Sequence, residues 1–274
     1  MSELKNKPSV LVTGAYGGMG KATVEALVNN GFFVFALDKN VGKAKENVLP
    51  VQADLTDEES VKNAFSIVRE HTAELYAIIH FAGVYMLNSL VEIELADFEK
   101  ILKINLVGAY LVNKEFLQLL KNGSRILITT SELAPLDPLP FTGIYAVTKS
   151  ALDKYAFSLA MELQLKGVGE SVLRAGAVET EMLGASTSAL DSFCENTALY
   201  TCNSKRFKNI VNKVESRCIS PNAIANKVLR IIQKHKPRFA YSINRNPLLL
   251  LLNALPKGAQ LFAIKQILKN KTKD

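Results

Sequence analysis

The feature that most restricts the fold is an alternation, over roughly the first 180 residues, of short apolar runs with longer stretches of helical periodicity. The runs are Val10-Leu11-Val12, Phe32 to Leu37, Val48 to Gln52, Ala77 to His80, Arg125 to Thr129 and Ser171 to Arg174. Strands this short and this evenly apolar are buried on both faces, which places them in a parallel sheet covered by helices. The segments between them supply those helices. Lys21 to Asn29 is one, closed by Gly31, and Thr56-Asp57 opens another through Arg69, with Val61, Ala64, Phe65 and Val68 on one face. Longer helices are expected from about Asp97 to Leu120 and from about Ile144 to Lys166. Right-handed crossovers then give a three-layer, doubly wound α/β sheet.

No Gly-, Ser- or Pro-rich linker and no internal repeat divides the chain, so residues 1–274 are expected to form a single domain. Beyond Gly184 the pattern changes. Ala185 to Asn203 is rich in Ser, Thr and Asn with little periodicity and reads as a mobile loop or short helices, within a candidate substrate-loop region at 184–215. Pro221 opens a helix reaching about Lys234, and Arg238 to Tyr241 is a short last strand. The tail at 245–274 is a helical extension, strongly apolar between Pro247 and Leu268 but interrupted by Pro256, Lys257 and Gly258. It can pack on its own domain or a subunit partner, cover a lipophilic substrate, or lie on a membrane surface.

At 48% hydrophobic and 22% charged residues, the composition suits a substantial core and argues against general disorder. The net charge of +7 comes from lysines found throughout the chain, which fits a solvated basic surface better than a nucleic-acid site. Cys194, Cys202 and Cys218 make no paired framework and no Cys-x-x-Cys, so neither a disulfide scaffold nor a zinc site is expected. The polar start and the lack of an apolar run of about 18 residues point to a cytoplasmic protein.

Thr13-Gly14-Ala15-Tyr16-Gly17-Gly18-Met19-Gly20 joins the first strand to the first helix. Glycines there let backbone approach a pyrophosphate, and the helix start offers unpaired N–H groups and a positive dipole. The turn from Gly14 through Tyr16, Gly18, Met19 and Gly20 is therefore a candidate dinucleotide cradle. Asp38 ends the second strand about 20 residues on, where a carboxylate accepts from ribose hydroxyls and repels a 2′-phosphate. That favours NAD over NADP, although a surface-turn aspartate is the plainer alternative. Asp54 can hold the adenine amino group or cap the helix near Thr56. Tyr145 and Lys149, four apart at a helix start, share one face, so an ammonium can sit beside a phenol and favour its ionised form. That is the tuning a general acid/base needs. Ser131, after the strand Ile126-Leu127-Ile128, can donate to a substrate oxygen, with Thr130 as the weaker candidate.

These residues together resemble the short-chain dehydrogenase/reductase family over about 230 residues, a family with a Rossmann fold. Thr13, Gly14, Gly18 and Gly20 match its glycine motif, Asp54-Leu55 its adenine contact, and Ala82-Gly83 the end of its Asn-Asn-Ala-Gly segment. His80 and Phe81 stand where the two asparagines would. The resemblance implies that Ser131 steadies the substrate oxygen and that Asn105 holds a water near Lys149. It also implies that Val178 and Thr180, in a loop carrying Ala175 in place of proline, contact the nicotinamide carboxamide. It implies an NAD-dependent oxidoreductase moving a hydride between the cofactor and an alcohol or ketone, without a metal. Tyr145 would exchange the proton while Lys149 lowers its pKa and binds the ribose. A homodimer or homotetramer through the two long central helices is implied as well. The tail and the Pro-Leu-Asp-Pro-Leu-Pro loop are similar to those of members acting on steroids and retinoids. Two other readings stand beside this one: an NAD-binding sensor or scaffold without turnover, and a sugar-nucleotide epimerase, for which the sequence beyond Gly184 is short.

Overall fold

The apolar runs become the strands of one sheet in the computed structural model, which describes residues 7–215 and 217–269. The strands are β1 (Ser9–Thr13), β2 (Phe33–Asp38), β3 (Val48–Gln52), β4 (Leu75–His80), β5 (Leu120–Ser131), β6 (Gly169–Ala175) and β7 (Ala240–Ile243). They pair in parallel in the order β3-β2-β1-β4-β5-β6-β7. The order reverses direction between β1 and β4, which opens a crevice at the carboxyl ends of those strands.

Alternation along each strand divides the core into two layers. Leu11, Phe35, Ile78, Ile126 and Ile128 face the helices α2 (Glu58–His71), α4 (Gly108–Phe116) and α5 (Gly143–Leu163). Val10, Val12, Val34, Ile79 and Leu127 face α1 (Gly18–Asn29) and α8 (Pro221–Ile232). Each such side chain, fully buried, contributes about 1.5–3 kcal/mol. Asp57 caps α2 by accepting from the Glu59 N–H at 3.0 Å, so the helix starts at the expected Thr56-Asp57 signal.

Three expectations need correction. The segment from Asp97 to Leu120 is not one helix. It is α3 (Leu95–Leu102), a π-helical turn at Lys103–Val107, α4, and a 3₁₀ turn at Leu117–Leu119. The widened turn admits one extra residue around Asn105, an irregularity that hydrophobic spacing does not report. The last strand begins at Ala240 because the ladder with β6 runs from Val172↔Ala240 to Ala175↔Ile243. Arg238 and Phe239 only reach the sheet edge, accepting from the Ser171 hydroxyl and the Val172 N–H.

Ala185 to Asn203 is mostly helical, within α6 (Glu181–Asn196) and α7 (Thr201–Glu215). Its polar residues satisfy themselves locally: the Ser188 hydroxyl donates to Gly184 O, and the Asn196 amide to Ser192 O. Packing then decides the conformation, as Leu190, Phe193, Cys194 and Phe207 close against Leu87 and Leu268. The tail folds as expected into two helices, α9 (Pro247–Asn253) and α10 (Lys257–Leu268), broken at Pro256. Its last residues, 270–274, lie outside the described residues. No helix among the described residues is long and apolar enough to cross a membrane.

Candidate active site

The glycine turn is fixed by its own backbone. Gly14 adopts φ +65°, and a Cβ there would lie 2.6 Å from the Ala82 N. At Gly20 a Cβ would lie 2.0 Å from the Gly14 carbonyl oxygen. No side chain caps the start of α1, so its amino end is open to an anion. Beside it lies a cleft of about 580 Å³ whose wall includes Gly14, Tyr16, Gly18, Met19, Gly20, Asp38, Asp54, Leu55, Ala82, Gly83 and Thr180. All of these were expected at a dinucleotide. Three other residues expected at the dinucleotide, Tyr145, Lys149 and Val178, do not line the cleft, and the Val178 side chain is buried in the core beside a bridge to Ile219. Asn40, Thr56, Val84, Lys100 and Ile104 also line the cleft. Lys100 and Ile104, one helical turn apart, carried no motif that would have singled them out.

Electrostatics sharpen the adenosine end. One Asp38 carboxylate oxygen accepts from the Tyr16 N–H at 3.0 Å and the other from the Asn40 N–H at 3.3 Å. Asp54 accepts from the Thr56 N–H and hydroxyl and pairs with the Lys39 ammonium at 2.6 Å. That lysine, helped by Thr56, holds the Asp54 carboxyl down at about 2. Asp54 therefore braces the turn before α2, while Asp57 does the capping.

At the other end of the crevice, α5 carries Tyr145 and Lys149, both buried, with the Lys149 Nζ 5.8 Å from the Tyr145 ring centre. The ammonium donates to Thr129 O at 3.4 Å and stands 3.3 Å from where a Cβ on Gly83 would be, so it reaches the cleft wall. Burial dominates the titration of both groups. Burial pushes Tyr145 up to about 12, opposed by its hydrogen bond with Ser131, and burial pushes Lys149 down to about 8. Both groups have lost water without gaining a counter-charge.

Ser131, at the end of β5, is the hydroxyl that meets Tyr145. Thr130 is turned away, donating to Asp153, which also holds Arg174 through two bonds of 2.9 and 2.7 Å. Asn105 is buried in the π-helical turn. Its Oδ1 accepts from the Val84 N–H at 2.8 Å, and its Nδ2 donates to Val84 O and the Thr148 hydroxyl at 3.0 Å each. It ties the loop after β4 to the residue before Lys149. Tyr85, from that loop, packs on the Tyr145 ring with centres 4.8 Å apart, a contact no sequence motif announced.

The departures from the family pattern leave the backbone intact. The Phe81 N–H donates to Thr13 O at 3.0 Å and the Ala82 N–H to the Thr13 hydroxyl at 3.4 Å. His80 is buried against the Asn113 amide at 2.8 Å, and burial pushes its imidazole down to about 4. After Ala175, Gly176 is required because a Cβ would lie 2.0 Å from Asn244 O.

The family model for short chain dehydrogenases matches residues 8–191. Estradiol 17-beta-dehydrogenase 2 of Mus musculus is 33% identical over 192 residues, covering 66% of this chain and 50% of that protein. The match thus spans about half the length of that relative. Two solved structures share the fold. One is a short chain dehydrogenase family protein from Francisella tularensis (TM-score 0.72, 23% identity, 86% of this chain and 97% of that one). The other is 3-ketoacyl-(acyl-carrier-protein) reductase from Brucella melitensis complexed with NADH (TM-score 0.71, 20% identity, 88% and 97%). With its glycine turn lining the cleft, Lys149 reaching that wall at Gly83 beside Tyr145 and Ser131, and its sequence matched from β1 to β6, the chain belongs to the short-chain dehydrogenase family.

Proposed function

We propose that the protein is an NAD-dependent oxidoreductase acting on the CH–OH group of a lipophilic secondary alcohol, or on the corresponding ketone. The observation that carries this is the meeting of Tyr145 with Ser131 and Lys149, whose ammonium lies beside Gly83 on the wall of the same cleft that the glycine turn lines. The cradle fits a dinucleotide because Gly14 and Gly20 let the turn fold tightly on itself, where a Cβ would strike Ala82 or the Gly14 carbonyl, and leave the amino end of α1 uncapped beside the cleft. When bound, a nicotinamide supplies or accepts the hydride. The rest is work for this chain's side chains.

In the reducing direction the Tyr145 phenol, protonated at neutral pH, donates its proton to the carbonyl oxygen while the Ser131 hydroxyl steadies that oxygen. In the oxidising direction Tyr145 must lose its proton first, and Lys149 is the cation close enough to favour that ionisation. Asn105 keeps Val84 and Thr148, and through them the loop and helix of the site, in register. Thr180 packs directly against Gly18 on the cleft wall and would contact the carboxamide.

NAD is preferred because Asp38 offers the ribose a carboxylate while Lys39 is engaged by Asp54. A steroid- or retinoid-like substrate is supported by the aromatic lining near Tyr145 and by the estradiol dehydrogenase relative. Exposed Tyr110, Val147, Phe157 and Met161 on α4 and α5 support a homodimer or homotetramer through those helices. Exposed Leu248, Leu251, Leu261 and Phe262 support peripheral membrane contact through the tail, and the free thiols suit the cytoplasm.

The test is NADH-dependent reduction of a ketone panel that includes steroids and retinal, run on the wild type and on Tyr145→Phe. The variant should bind NADH normally and lose roughly 10²–10⁴-fold in kcat, the range for a general acid. Equal turnover in both proteins would remove Tyr145 from the chemistry.

A further inference from the structure

We infer that a groove beneath the tail, separate from the dinucleotide cleft, binds an acyl chain that ends in an anionic head. It lies between α7, α10 and the two loops at 89–91 and 140–141, and it encloses about 430 Å³. That is within the roughly 300–1,000 Å³ of pockets that enclose small molecules. Its lining shares no residue with the cleft. Leu90, Phe141, Ile264 and Leu268 give it apolar walls, and Lys265 and Lys269 stand exposed at its edge. None of its lining residues is acidic.

Charge favours this occupant over an uncharged one. Of the described tail cations, Lys257 pairs with Asp137, while Lys265 and Lys269 line the groove with no acidic residue among its walls. An apolar trough with cations at one edge is complementary to a chain with an anion at its end.

The walls are also held in place at a cost in backbone energy. Phe141 adopts φ +67°, a conformation a bulky aromatic residue rarely takes. Its carbonyl accepts from the Asn88 N–H at 2.9 Å. Its ring packs on Phe193, Tyr200 and Phe207 with centres 4.7, 5.2 and 5.4 Å apart. Strain of this kind persists where the surroundings over-determine it, and it concentrates at ligand clamps. The Asn203 amide donates to Leu268 O at 2.6 Å and fixes the end of α10 over the opening. Leu90, on the opposite rim, remains 56% exposed.

The head and chain can come from a free fatty acid or from a membrane phospholipid, and the full-length chain can be tested against both. Dodecanoate, kept below its micelle concentration, is titrated against a bound fluorescent fatty acid. Vesicles of phosphatidylglycerol and phosphatidylcholine are tested by co-sedimentation. Saturable one-site binding of dodecanoate is expected, weakened roughly tenfold by Lys265→Glu with Lys269→Glu and abolished by Leu90→Trp, which fills the groove. NADH affinity should be unchanged in every variant. Vesicle binding that also falls in Leu90→Trp would point to the membrane source and equally support the site. Vesicle binding indifferent to Leu90→Trp, with no dodecanoate binding, would overturn it. So would full dodecanoate affinity in the charge-reversed pair, whose exposed positions leave folding intact.

Discussion

The dinucleotide end and the cap end of this molecule are built by different means. At the first, backbone meets backbone: a Cβ on Gly14, Gly20 or Gly176 would stand 2.6, 2.0 or 2.0 Å from another main-chain atom. At the second, side chains meet side chains or turn backbone. Phe141, Phe193, Tyr200 and Phe207 form an aromatic cluster, and the Glu92 carboxylate accepts from the Thr197 hydroxyl and from the Ala198 and Leu199 N–H groups. A site made by main-chain approach tolerates one residue type at a few positions. A site made by side-chain packing tolerates many combinations, provided volume and polarity are matched.

The largest effect expected from this contrast is at Gly20. In Gly20→Ala the new methyl meets the Gly14 carbonyl, and the turn must open. Overpacking of this kind costs about 1–3 kcal/mol, which would weaken dinucleotide binding roughly 10- to 100-fold. A fluorescence titration with NADH measures it. Wild-type affinity in that variant would break the claim that backbone approach defines this end.

His80 sharpens the comparison, because it is a side-chain solution inside the backbone-built half. Burial moves its pKa from 6.5 to about 4, with the Asn113 hydrogen bond opposing. The folded protein thus refuses a proton that the unfolded chain accepts. The contribution of His80 to stability is complete above about pH 6.5 and falls as pH drops towards 4, by about 3 kcal/mol at the lower limit. His80→Asn removes the titration, so its Tm should change less than the wild type's between pH 7 and pH 4.5. Parallel losses of Tm in the two proteins would show that His80 is not what makes the fold acid-sensitive.

The same contrast explains what could be read from the sequence. The strands of the sheet and the glycine turn were legible because a buried parallel strand and a main-chain cradle each impose a local pattern. Ser131 over Thr130 was legible only as a preference, and the structure adds that the Thr130 hydroxyl donates to Asp153, which pairs with Arg174. The π-helical turn at Asn105 left no trace in periodicity. The helices α6 and α7 were hidden because Ser, Thr and Asn lower helix propensity, while the contacts that overrule it come from Leu87 and Leu268, far away in the chain. Val178 was named by the loop's family pattern, and its side chain packs in the core beside the bridge to Ile219.

Asp38 tests the dinucleotide end more gently. Asp38→Asn keeps the shape and removes the charge that would oppose a 2′-phosphate. The ratio of NADPH to NADH affinity should rise about tenfold, in line with roughly 1.4 kcal/mol for one charge contact at a partly exposed site. Paired titrations of the two cofactors give the ratio. A ratio unchanged from wild type would mean that Asp38 does not select between them.

The smallest effect is expected at Glu92, and it probes the cap alone. Burial draws its carboxyl upward, but donors from Thr197, Leu199, Ala198 and Ser89 outweigh that and hold it below the ordinary glutamate range. A carboxyl lowered on folding lends support above its unfolded pKa and loses it as pH falls through the folded one, so the latch is closed at neutral pH. In Glu92→Gln the Oε1 can still accept from the Ala198 and Leu199 N–H groups, but Nε2 replaces the oxygen that accepted from the Thr197 hydroxyl, and the charge that strengthened all of these bonds is gone. The α6–α7 junction should loosen while the glycine cradle, which Glu92 does not touch, stays as it is. KM for the carbonyl substrate should therefore rise several-fold with kcat and NADH affinity nearly unchanged, because the loss falls on binding that is uniform along the reaction. A matching loss of NADH affinity would show that the two ends are mechanically one, and the contrast between them would fail.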